Sequence, residues 1–381
     1  MAQKILVSAG EPSGDLYAAG LVEALRHRNP SLQFFGCAGP RMQRAGVRPV
    51  VDAASLAVVG LVEVVTHIPR IYREYRKLVR AAIEERPDAA ILTDSPDFHL
   101  RVARRLKDLG IPVIYLVAPQ VWAWRKGRLP VLRRTVDRLL CIFPFEPDFF
   151  ARHGIEADYI GHPLTRLVKP SASRQALRER YGVSAGVPLV ALLPGSRRGE
   201  IARHMPVLIE AARRIGSAAS FIAAVPAGMA QFVQTFTERV SGSSIKVFEG
   251  QTWDVLACAD LALAASGTVT IEAALLGTPM IAFYRVNRLS WWMGSHLVKV
   301  PFYSMVNLVA GRRVVPELIQ NEMTAERLAA EALALLGDES ARKNMRASLA
   351  SVAQQLSGPQ DPMEVAASLV EKHLKEELVH A

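Results

Sequence analysis

The sequence predicts an α/β protein that contains two Rossmann-like αβα domains. The chain has 381 residues, which is more than a single hydrophobic core usually holds. Half of its residues are apolar and only 22% are charged, as expected of a folded protein. Short apolar runs alternate with longer segments of helical period, which is typical of a parallel sheet covered by helices.

The first half begins with the strand KILVSAG, followed by a helix whose apolar residues recur at helical spacing from Leu16 to Leu25. Further strands are predicted in LQFFGCAG, AAILTDSP, PVIYLVAP and DRLLCIFP. Each ends in small or turn-forming residues. We therefore expect their carboxyl ends to lie along one edge of a sheet.

The second half repeats this arrangement, with strands predicted in LVALLPGS, SFIAAVPA, IKVFEG, DLALAASG and PMIAFYR. A polar, proline-containing stretch near GHPLTRLVKPSAS separates the two halves. We expect one domain over 1–168, a second over 169–355, and a C-terminal helix in 356–381 that packs back on the first. Two such domains predict a cleft where their strand ends face each other.

Charge and cysteine content indicate the class of partner and the compartment. The chain has 46 Lys and Arg against 36 Asp and Glu, a formal charge of +10. This favours an anionic partner, such as nucleic acid, an acidic membrane or a phosphorylated substrate, although solubility alone is an alternative. Three separated cysteines without CxxC spacing indicate reduced thiols in the cytoplasm. We expect neither a signal peptide nor a spanning helix.

The stretch LLPGSRRGE, residues 192–200, is an apolar strand end that meets Gly-Ser-Arg before a helical pattern. Glycine allows close backbone approach, the first helical N–H groups are unpaired, and Arg197 adds positive charge. This pattern favours a bound phosphate. The alternative is a plain turn in which Ser196 caps the helix.

The stretch AASGTVTIEAALLG is the most informative part of the second half. A strand ends in Ser266, Gly267 and Thr268, and Glu272 lies one helical turn further on. Helix starts bind phosphate, and a carboxylate one turn along can accept hydrogen bonds from both hydroxyls of a ribose. Together with Ser196 and Arg197, these residues predict a nucleotide diphosphate site.

The first strand turn, AGEPSGD, supplies candidate contacts to a substrate. Gly10, Ser13, Gly14 and Asp15 precede a helix but fit neither common phosphate-loop pattern. Glu11 and Asp15 are poorly suited to lie beside phosphate. We expect a sugar or hydroxyl contact here, with a plain helix start as the alternative.

Asp94, in TDSPDF, emerges where a buried strand ends. A carboxylate held there, with Pro96 stiffening the turn, can accept a proton from a substrate hydroxyl. Helix capping by Asp94 or Asp97 is the alternative, but it explains only one of the two. We therefore expect Asp94 to be the chemical residue.

The stretch APQVWAWRKGRLPVLRR interleaves aromatic and basic residues. Its members are Trp122, Trp124, Arg125, Lys126, Arg128, Arg133 and Arg134. This pattern suits a phosphate-bearing ligand or a lipid head group, and also nucleic acid. Exposed helix surface for the arginines and core packing for the tryptophans are the alternatives.

Two segments have the amphipathic pattern of a helix that lies on an anionic membrane. In the first, over 56–86, an apolar face is formed by Ile71, Tyr75, Leu78, Val79 and Ile83, with Arg70, Arg73, Arg76, Lys77 and Arg80 largely elsewhere. The second spans 287–303. A dimer interface or internal packing explains either segment nearly as well.

The ordered motifs resemble those of the bacterial lipid-A-disaccharide synthase family over almost the whole chain. The motifs are AGEPSGD, AGPRM, DSPDF, VWAWR, FPFE, IGHP, LLPGSR, ASGT with Glu272, and NLVAGR. The resemblance implies the two-domain GT-B fold, with the donor nucleotide in the C-terminal half and the lipid acceptor in the N-terminal half. Pro12 and His99 depart from the residues common in the family, Thr and Asn, which affects local acceptor contacts.

The resemblance also implies the reaction and the roles of residues. UDP-2,3-diacylglucosamine and 2,3-diacylglucosamine 1-phosphate would give a β(1→6) disaccharide 1-phosphate and UDP, with inversion at the anomeric carbon. Asp94 would be the general base, and Arg197 would meet the departing diphosphate. The donor site would comprise Ser196, Ser266, Gly267, Thr268 and Glu272, with Asn307 as a further contact. Gly10, Glu11, Ser13, Gly14, Asp15 and Trp124 complete the expected substrate contacts.

We expect no metal or other cofactor, because Arg197 and the helix starts can stabilise the leaving UDP. His162, in GHP, is expected to be structural or substrate-facing. Both substrates carry acyl chains, so we expect peripheral attachment to the cytoplasmic face of the inner membrane. We expect no nucleic-acid partner, and a homodimer is an open alternative. Two alternatives are a UDP-N-acetylglucosamine 2-epimerase-like enzyme and a basic membrane- or nucleic-acid-binding protein without catalysis.

Overall fold

The protein folds into two compact units. One comprises Met1–Pro163 with Leu356–Ala381, and the other comprises Leu164–Gln355. The computed structural model describes residues 3–56, 61–238, 245–287, 291 and 300–380, with the backbone alone for 61–67 and 376–380.

A parallel seven-stranded sheet forms the centre of the first unit, in the order β3-β2-β1-β4-β5-β6-β7. The strands are β1 Lys4–Ala9, β2 Gln33–Ala38, β3 Val47–Asp52, β4 Ala89–Thr93, β5 Val113–Leu116, β6 Arg138–Cys141 and β7 Ala157–Tyr159. Ile5, Leu6 and Val7 are all fully buried. Because successive side chains point to opposite faces, both faces of this sheet are covered.

The helices of the first unit follow its strands. They are α1 Pro12–Arg28, α2 Pro40–Arg44, α3 Leu61–Glu85, α4 Pro96–Asp108, α5 Leu129–Thr135 and α6 Glu146–Ala151. Proline occupies the first turn of α1, α2 and α4, where its missing N–H has no intrahelical partner to lose. Proline thus favours a helix start at each of these positions, shortly after a strand ends.

The second unit has a parallel six-stranded sheet in the order β10-β9-β8-β11-β12-β13. The strands are β8 Leu189–Leu193, β9 Ser220–Val225, β10 Ile245–Glu249, β11 Leu261–Ala265, β12 Met280–Tyr284 and β13 Glu317–Ile319. The helices are α7 Leu164–Leu167, α8 Arg174–Arg180, α9 Arg198–Ile215, α10 Ala230–Thr237, α11 Thr252–Cys258, α12 Thr268–Leu275, α13 Met305–Ala310, α14 Ala325–Gly337 and α15 Glu339–Leu356. Its own apolar core lies between β8, β9, β11 and β12 and the helices α9 and α14.

The last helix, α16 Pro362–His380, belongs to the first unit and packs against α1. Arg28, at the end of α1, pairs with Glu371 at 2.9 Å and with Glu364 at 3.4 Å. Close contact is possible because Gly20 has no side chain; a Cβ there would lie 3.2 Å from Met363.

The three cysteines, Cys37, Cys141 and Cys258, are buried free thiols, as expected from their spacing. Burial raises the pKa of the Cys258 thiol to about 11. A buried thiol with a raised pKa is a poor nucleophile, so these side chains serve packing.

Candidate active site

Asp94 follows β4 directly, and its carboxylate is held by the turn after the neighbouring strand β1. One carboxylate oxygen accepts the N–H of Gly10 at 2.9 Å, and the other accepts the N–H of Glu11 at 3.0 Å. The two strands are parallel neighbours, so their carboxyl ends meet at one edge. The structure thus brings the AGEPSGD and TDSPDF motifs together around one carboxylate.

Two glycines make this close approach possible. A Cβ on Gly14 would lie 1.7 Å from the Oδ2 atom of Asp94, and a Cβ on Gly10 would lie 2.6 Å from the Oγ atom of Ser95. Any larger residue at Gly14 would displace the carboxylate. The glycines of AGEPSGD therefore shape a carboxylate site and not a phosphate loop.

Burial raises the pKa of Asp94 from its ordinary value of 3.8 to about 7. The N–H groups of Gly10 and Glu11 favour the ionised form and oppose this shift, while the negative charge of Glu11 adds to it. The side chain of Asp94 is 12% exposed, so it is reachable from solvent. A carboxylate with this pKa suits a general base near neutral pH.

The other predicted residues of the first turn divide into two groups. Glu11 and Ser13 are exposed, in the turn whose N–H groups hold the Asp94 carboxylate. Asp15 is buried, and its carboxylate accepts the N–H groups of Arg41 and Met42, each at 3.0 Å, at the start of α2. The contact predicted between Asp15 and substrate is therefore revised to a structural role, because both of its oxygens stabilise a helix start.

Trp124 lies on the surface of the first unit with two arginines stacked on its ring. The guanidinium carbons of Arg125 and Arg128 lie 4.4 and 5.3 Å from the ring centre. Both arginines also pair with Asp97, at 2.7 and 2.6 Å, and these ion pairs lower the pKa of Asp97 despite its partial burial. Through Asp97, in the first turn of α4, the Trp124 cluster is attached to the helix that follows Asp94.

Sequence reasoning missed Glu146, which joins the VWAWR and FPFE motifs. Its carboxylate is fully buried and accepts the indole N–H of Trp122 at 2.9 Å and the N–H of Phe143 at 3.1 Å. Burial raises the pKa of Glu146 to about 7. Trp122 is thus a core residue, and only Trp124 of the predicted pair is exposed.

In the second unit, Ser196 and Arg197 lie at the start of α9, after β8. Their N–H groups already donate to the Oε2 atom of Glu200, at 3.0 and 3.2 Å, so the chain supplies its own anion to these amides. Glu200 also accepts the hydroxyl of Tyr284 at 3.0 Å. The predicted capture of phosphate by these amides is revised: the exposed groups here are the side chains of Ser196 and Arg197.

The guanidinium of Arg197 is an exposed positive charge of this turn. It is 58% exposed and lies 3.6 Å from Glu200. Gly195 has a φ of +117°, and a Cβ there would lie 2.7 Å from Glu200, so glycine is required for this fold-back. The glutamate three residues into the helix is a recognisable sequence signal of such capping.

The predicted donor residues Ser266, Gly267 and Thr268 lie at the start of α12, after β11, which is the neighbour of β8. The Ser266 hydroxyl donates to the carbonyl of Tyr303 at 2.6 Å. Gly267 has a φ of +158°, and Thr268 is exposed. The first N–H groups of a helix have no intrahelical acceptor and can bind an anion.

Glu272 lies one turn along α12 and is partly buried. Burial raises its pKa to about 7, and the neighbouring side chain of Trp253 partly opposes this shift. The structure thus places Ser196, Arg197, Ser266, Gly267, Thr268 and Glu272 at the ends of two adjacent strands.

Asn307 is fully buried, and all of its hydrogen-bonding groups serve the chain itself. Its amide nitrogen donates to the carbonyl of Val315 and to Glu317, and its oxygen accepts the N–H of Val315 and that of Val314. Glu317 also accepts the N–H of Ser304 at 2.8 Å. The predicted contact between Asn307 and substrate is therefore revised to a role in shaping this loop.

Two buried histidines, His204 and His162, contact neighbouring groups of the protein itself. His204 donates through Nδ1 to the carbonyl of Pro194, at 2.7 Å, and its Nε2 atom accepts the N–H of Arg285, at 3.2 Å, so the ring joins the ends of β8 and β12. His162, in GHP, is packed against Phe143, and burial lowers its pKa to about 3. A buried neutral imidazole of this kind agrees with the structural alternative for His162.

The predicted membrane helix corresponds to α3, and part of its apolar face packs inside the first unit. Leu78 belongs to the core, and Ile71 and Tyr75 pack against it, so the membrane interpretation is wrong for these three residues. A core-facing helix has the same periodicity as one that lies on a membrane. Ile68 and Tyr72 remain exposed. Residues 57–60 and most of 287–303 lie outside the described part of the chain.

Within the residues that the structure describes, no helix combines the length and the apolar character needed to span a membrane.

Comparison with known proteins gives a consistent result. The family described as "Lipid-A-disaccharide synthetase" matches residues 5–369. The chain is 58% identical to the "Lipid-A-disaccharide synthase" of Solibacter usitatus over 377 residues, 99% of each chain.

Among solved structures, a UDP-GlcNAc 2-epimerase from Neisseria meningitidis gives a TM-score of 0.64 at 11% identity, covering 98% of this chain and 100% of that one. A glycosyltransferase from Rickettsia africae gives 0.60 at 13% identity, covering 100% and 99%. These similarities concern the fold alone, and with the two parallel sheets they confirm the predicted GT-B class. The sequence matches decide the family, and the chain belongs to the lipid-A-disaccharide synthetases.

Proposed function

We propose that this chain is a lipid-A-disaccharide synthase. It is an inverting glycosyltransferase that joins UDP-2,3-diacylglucosamine to 2,3-diacylglucosamine 1-phosphate. The observation that carries the chemistry is the carboxylate of Asp94, which is held by two N–H groups at a strand end and has a pKa of about 7.

The reaction is a displacement at the anomeric carbon of the donor sugar. Ionised Asp94 takes the proton of the acceptor 6-hydroxyl, and that oxygen forms a bond to the anomeric carbon. The bond between this carbon and the diphosphate breaks, and UDP leaves with its electron pair. Attack from the opposite face inverts the configuration and gives the β(1→6) disaccharide 1-phosphate.

The donor binds in the second unit. The guanidinium of Arg197 leaves Glu200 to meet the diphosphate, while the N–H groups at the start of α12 and the hydroxyls of Ser196 and Thr268 bind its oxygens. Glu272 accepts hydrogen bonds from the ribose hydroxyls. Fixed positive charge at a developing anion stabilises the transition state, so the proposed mechanism requires no metal.

The acceptor binds in the first unit, with Glu11 and Ser13 close to its sugar. The Trp124 cluster of Arg125, Arg128 and Asp97 contacts its 1-phosphate. The two arginines exceed the single aspartate by one positive charge, and a planar guanidinium suits bidentate contacts with phosphate. The aromatic face of Trp124 keeps both arginines in place.

The enzyme attaches peripherally to the cytoplasmic face of the inner membrane, where its acylated substrates reside. Ile68 and Tyr72 form an exposed apolar pair, one helical turn apart on α3. Arg70, Arg73 and Arg76 are exposed around them. This combination of apolar and basic residues suits an anionic membrane surface. A homodimer stays a prediction from the sequence.

The test is an assay of the purified protein with the two acylated sugars. We expect mass spectrometry to find the tetraacyl disaccharide 1-phosphate, with stoichiometric UDP. Asp94→Asn should lower kcat by about 10²–10⁴-fold with UDP binding retained, because the amide cannot accept a proton. In the wild type, kcat should rise with pH and level off above about 7, where Asp94 is ionised.

Asp108→Asn is the matched control, because Asp108 lies at the other end of α4, exposed and away from the strand ends. It should leave kcat unchanged. Substantial turnover in Asp94→Asn would exclude Asp94 as the base.

The epimerase alternative rests on similarity of fold. An epimerase would convert UDP-N-acetylglucosamine alone into an isomeric UDP-sugar, without an acceptor. A non-catalytic binding protein would release no UDP from either mixture. Incubation with each donor in turn, with and without the acceptor, therefore distinguishes the three functions.

A further inference from the structure

The main-chain carbonyl of Asp94 accepts two hydrogen bonds from buried side chains. The hydroxyl of Tyr115, on β5, donates at 2.5 Å, and the Nδ1 atom of His99, on α4, lies at 3.0 Å. Tyr115 and His99 are both 0% exposed. Two elements of the unit thus direct a polar group to the backbone of the proposed base.

The hydrogen bonds of His99 fix its tautomer. A carbonyl oxygen can only accept, so Nδ1 carries the proton, and Nε2 accepts the hydroxyl of Ser8, on β1, at 2.7 Å. Burial lowers the pKa of His99 to about 4, which keeps the imidazole neutral and the assignment unique. The three contacts form a chain from Ser8 through His99 to the carbonyl of Asp94.

The backbone at this carbonyl is strained. Asp94 and Ser95 have φ values of +55° and +35°, two consecutive left-handed residues, neither of which is glycine. Such a conformation persists only where the surroundings hold it. This turn also aims the carboxylate at the N–H groups of Gly10 and Glu11.

We propose that His99 and Tyr115 are positioning residues of the glycosyl transfer, which hold the strained Asp94 carbonyl so that its carboxylate stays at the acceptor hydroxyl. This inference rests on the proposed function. Ser8, His99 and Tyr115 bury polar groups from β1, α4 and β5. Because buried polar atoms are costly unless they are paired, apolar side chains would fill this part of the core better. His99 and Tyr115 share the Asp94 carbonyl as acceptor, and Ser8 contributes through its hydrogen bond to His99.

A proton relay through His99 is not part of this proposal. The Nδ1 atom lies 3.8 Å from the nearer carboxylate oxygen of Asp94, beyond hydrogen-bond distance, and its proton points to the carbonyl. The imidazole therefore acts on the position of the carboxylate and not on its proton.

The test compares variants that keep or remove these two donors. Tyr115→Phe removes only the hydroxyl, and His99→Leu removes the imidazole donor. We expect each to lower kcat about tenfold or more, with the KM for the UDP-sugar unchanged. His99→Asn places an amide N–H where Nδ1 stands, and should retain kcat within about threefold of the wild type.

The pH profile separates positioning from general stability. If the carboxylate is released towards water, its pKa falls towards the ordinary value, so the acid limb of kcat should move to lower pH in Tyr115→Phe and His99→Leu. A purely structural defect would reduce the folded fraction without moving this limb. Circular dichroism and thermal unfolding of each variant show whether it is folded.

Tyr181→Phe is the matched control, since it removes a similar hydroxyl contact, to Gln251 at 2.8 Å, in the second unit. It should change neither kcat nor the limb. Folded Tyr115→Phe protein with the wild-type kcat and acid limb would overturn the proposal for Tyr115, and the same result for His99→Leu would overturn it for His99. A wild type that makes no disaccharide would instead refute the proposed function.

Discussion

At the scale of single residues, the two charges assigned to the chemistry have opposite surroundings. Asp94 is largely buried, and burial destabilises its negative charge, which raises its pKa and makes it a better proton acceptor. Arg197 is mostly exposed and lies 3.6 Å from the carboxylate of Glu200. A tuned base needs a fixed environment, whereas a side chain that follows a leaving group needs freedom to move.

Replacement of Arg197 by alanine should lower both turnover and donor affinity. We expect kcat to fall by about 10²–10³-fold, because the departing UDP loses a preorganised cation. Isothermal titration with UDP and steady-state kinetics would measure the two effects. Arg213→Ala, at the other end of α9 and paired with Glu210, is the control and should leave both unchanged. Wild-type UDP affinity in Arg197→Ala would contradict the anion role.

The sequence analysis did not give every candidate residue the right contacts. Asp15 and Asn307 lie in the expected motifs, but their side chains bind backbone groups within their own units. A short polar residue beside a turn has the same appearance in a sequence whether it binds a ligand or a neighbouring loop. Only the three-dimensional partners distinguish these cases, and for Glu146 they revealed a contact that no local pattern indicated.

At the scale of elements, Glu146 connects the segment after β5 with the start of α6. Its raised pKa means that the folded protein holds the proton up to about pH 7, whereas the unfolded chain releases it near 4.5. The unfolded chain therefore binds fewer protons in this range. The contribution of Glu146 to the free energy of unfolding falls as the pH rises from about 4.5 to 7.

Glu146→Gln should remove this pH dependence. The amide disturbs the contacts with Trp122 and with the N–H groups of Ile142 and Phe143 at every pH, but it cannot ionise. As the pH rises from 4.5 to 8, the difference in the free energy of unfolding between the variant and the wild type should therefore shift by up to about 3 kcal/mol in favour of the variant. Urea unfolding at several pH values measures the difference.

Trp122→Phe provides the complementary variant. It removes an N–H group that lowers the pKa of Glu146, so the loss of stability should extend to higher pH. A difference between Glu146→Gln and the wild type that does not vary with pH would contradict this account.

Most strands were predictable because a parallel strand that is covered on both faces is a continuous apolar run. The sequence analysis missed β3, β7 and β13, which lie at edges of the two sheets. The role of α3 was less predictable. Its periodicity gives one apolar face, but Leu78 packs into the core while Ile68 and Tyr72 remain exposed. The sequence shows that such a face exists, and the packing around the helix decides what covers it.

At the scale of the whole molecule, length and alternation predicted two α/β units and hence the class of fold, because each sheet needs its own core. The limits of the units depend on contacts between distant residues, such as that of Arg28 with Glu371, for which the sequence has no local signal. The formal charge of +10 is likewise a property of the entire chain. It favours anionic partners without identifying one.

Attachment to an anionic membrane should combine a salt-sensitive and a salt-resistant part. Each cation near the surface contributes about 1 kcal/mol, and this attraction is largely screened at about 1 M salt. We expect co-sedimentation with vesicles of anionic phospholipid to fall as salt rises, and Arg73→Gln with Arg76→Gln to lower binding at low salt. Tyr72→Ser should reduce the part that persists at high salt, because it removes apolar contact, whereas Arg213→Gln should change neither part. Equal retention at all salt concentrations would mean that apolar contact alone attaches the protein. Absence of binding at low salt would refute the membrane proposal, but it would not affect the proposed transfer reaction.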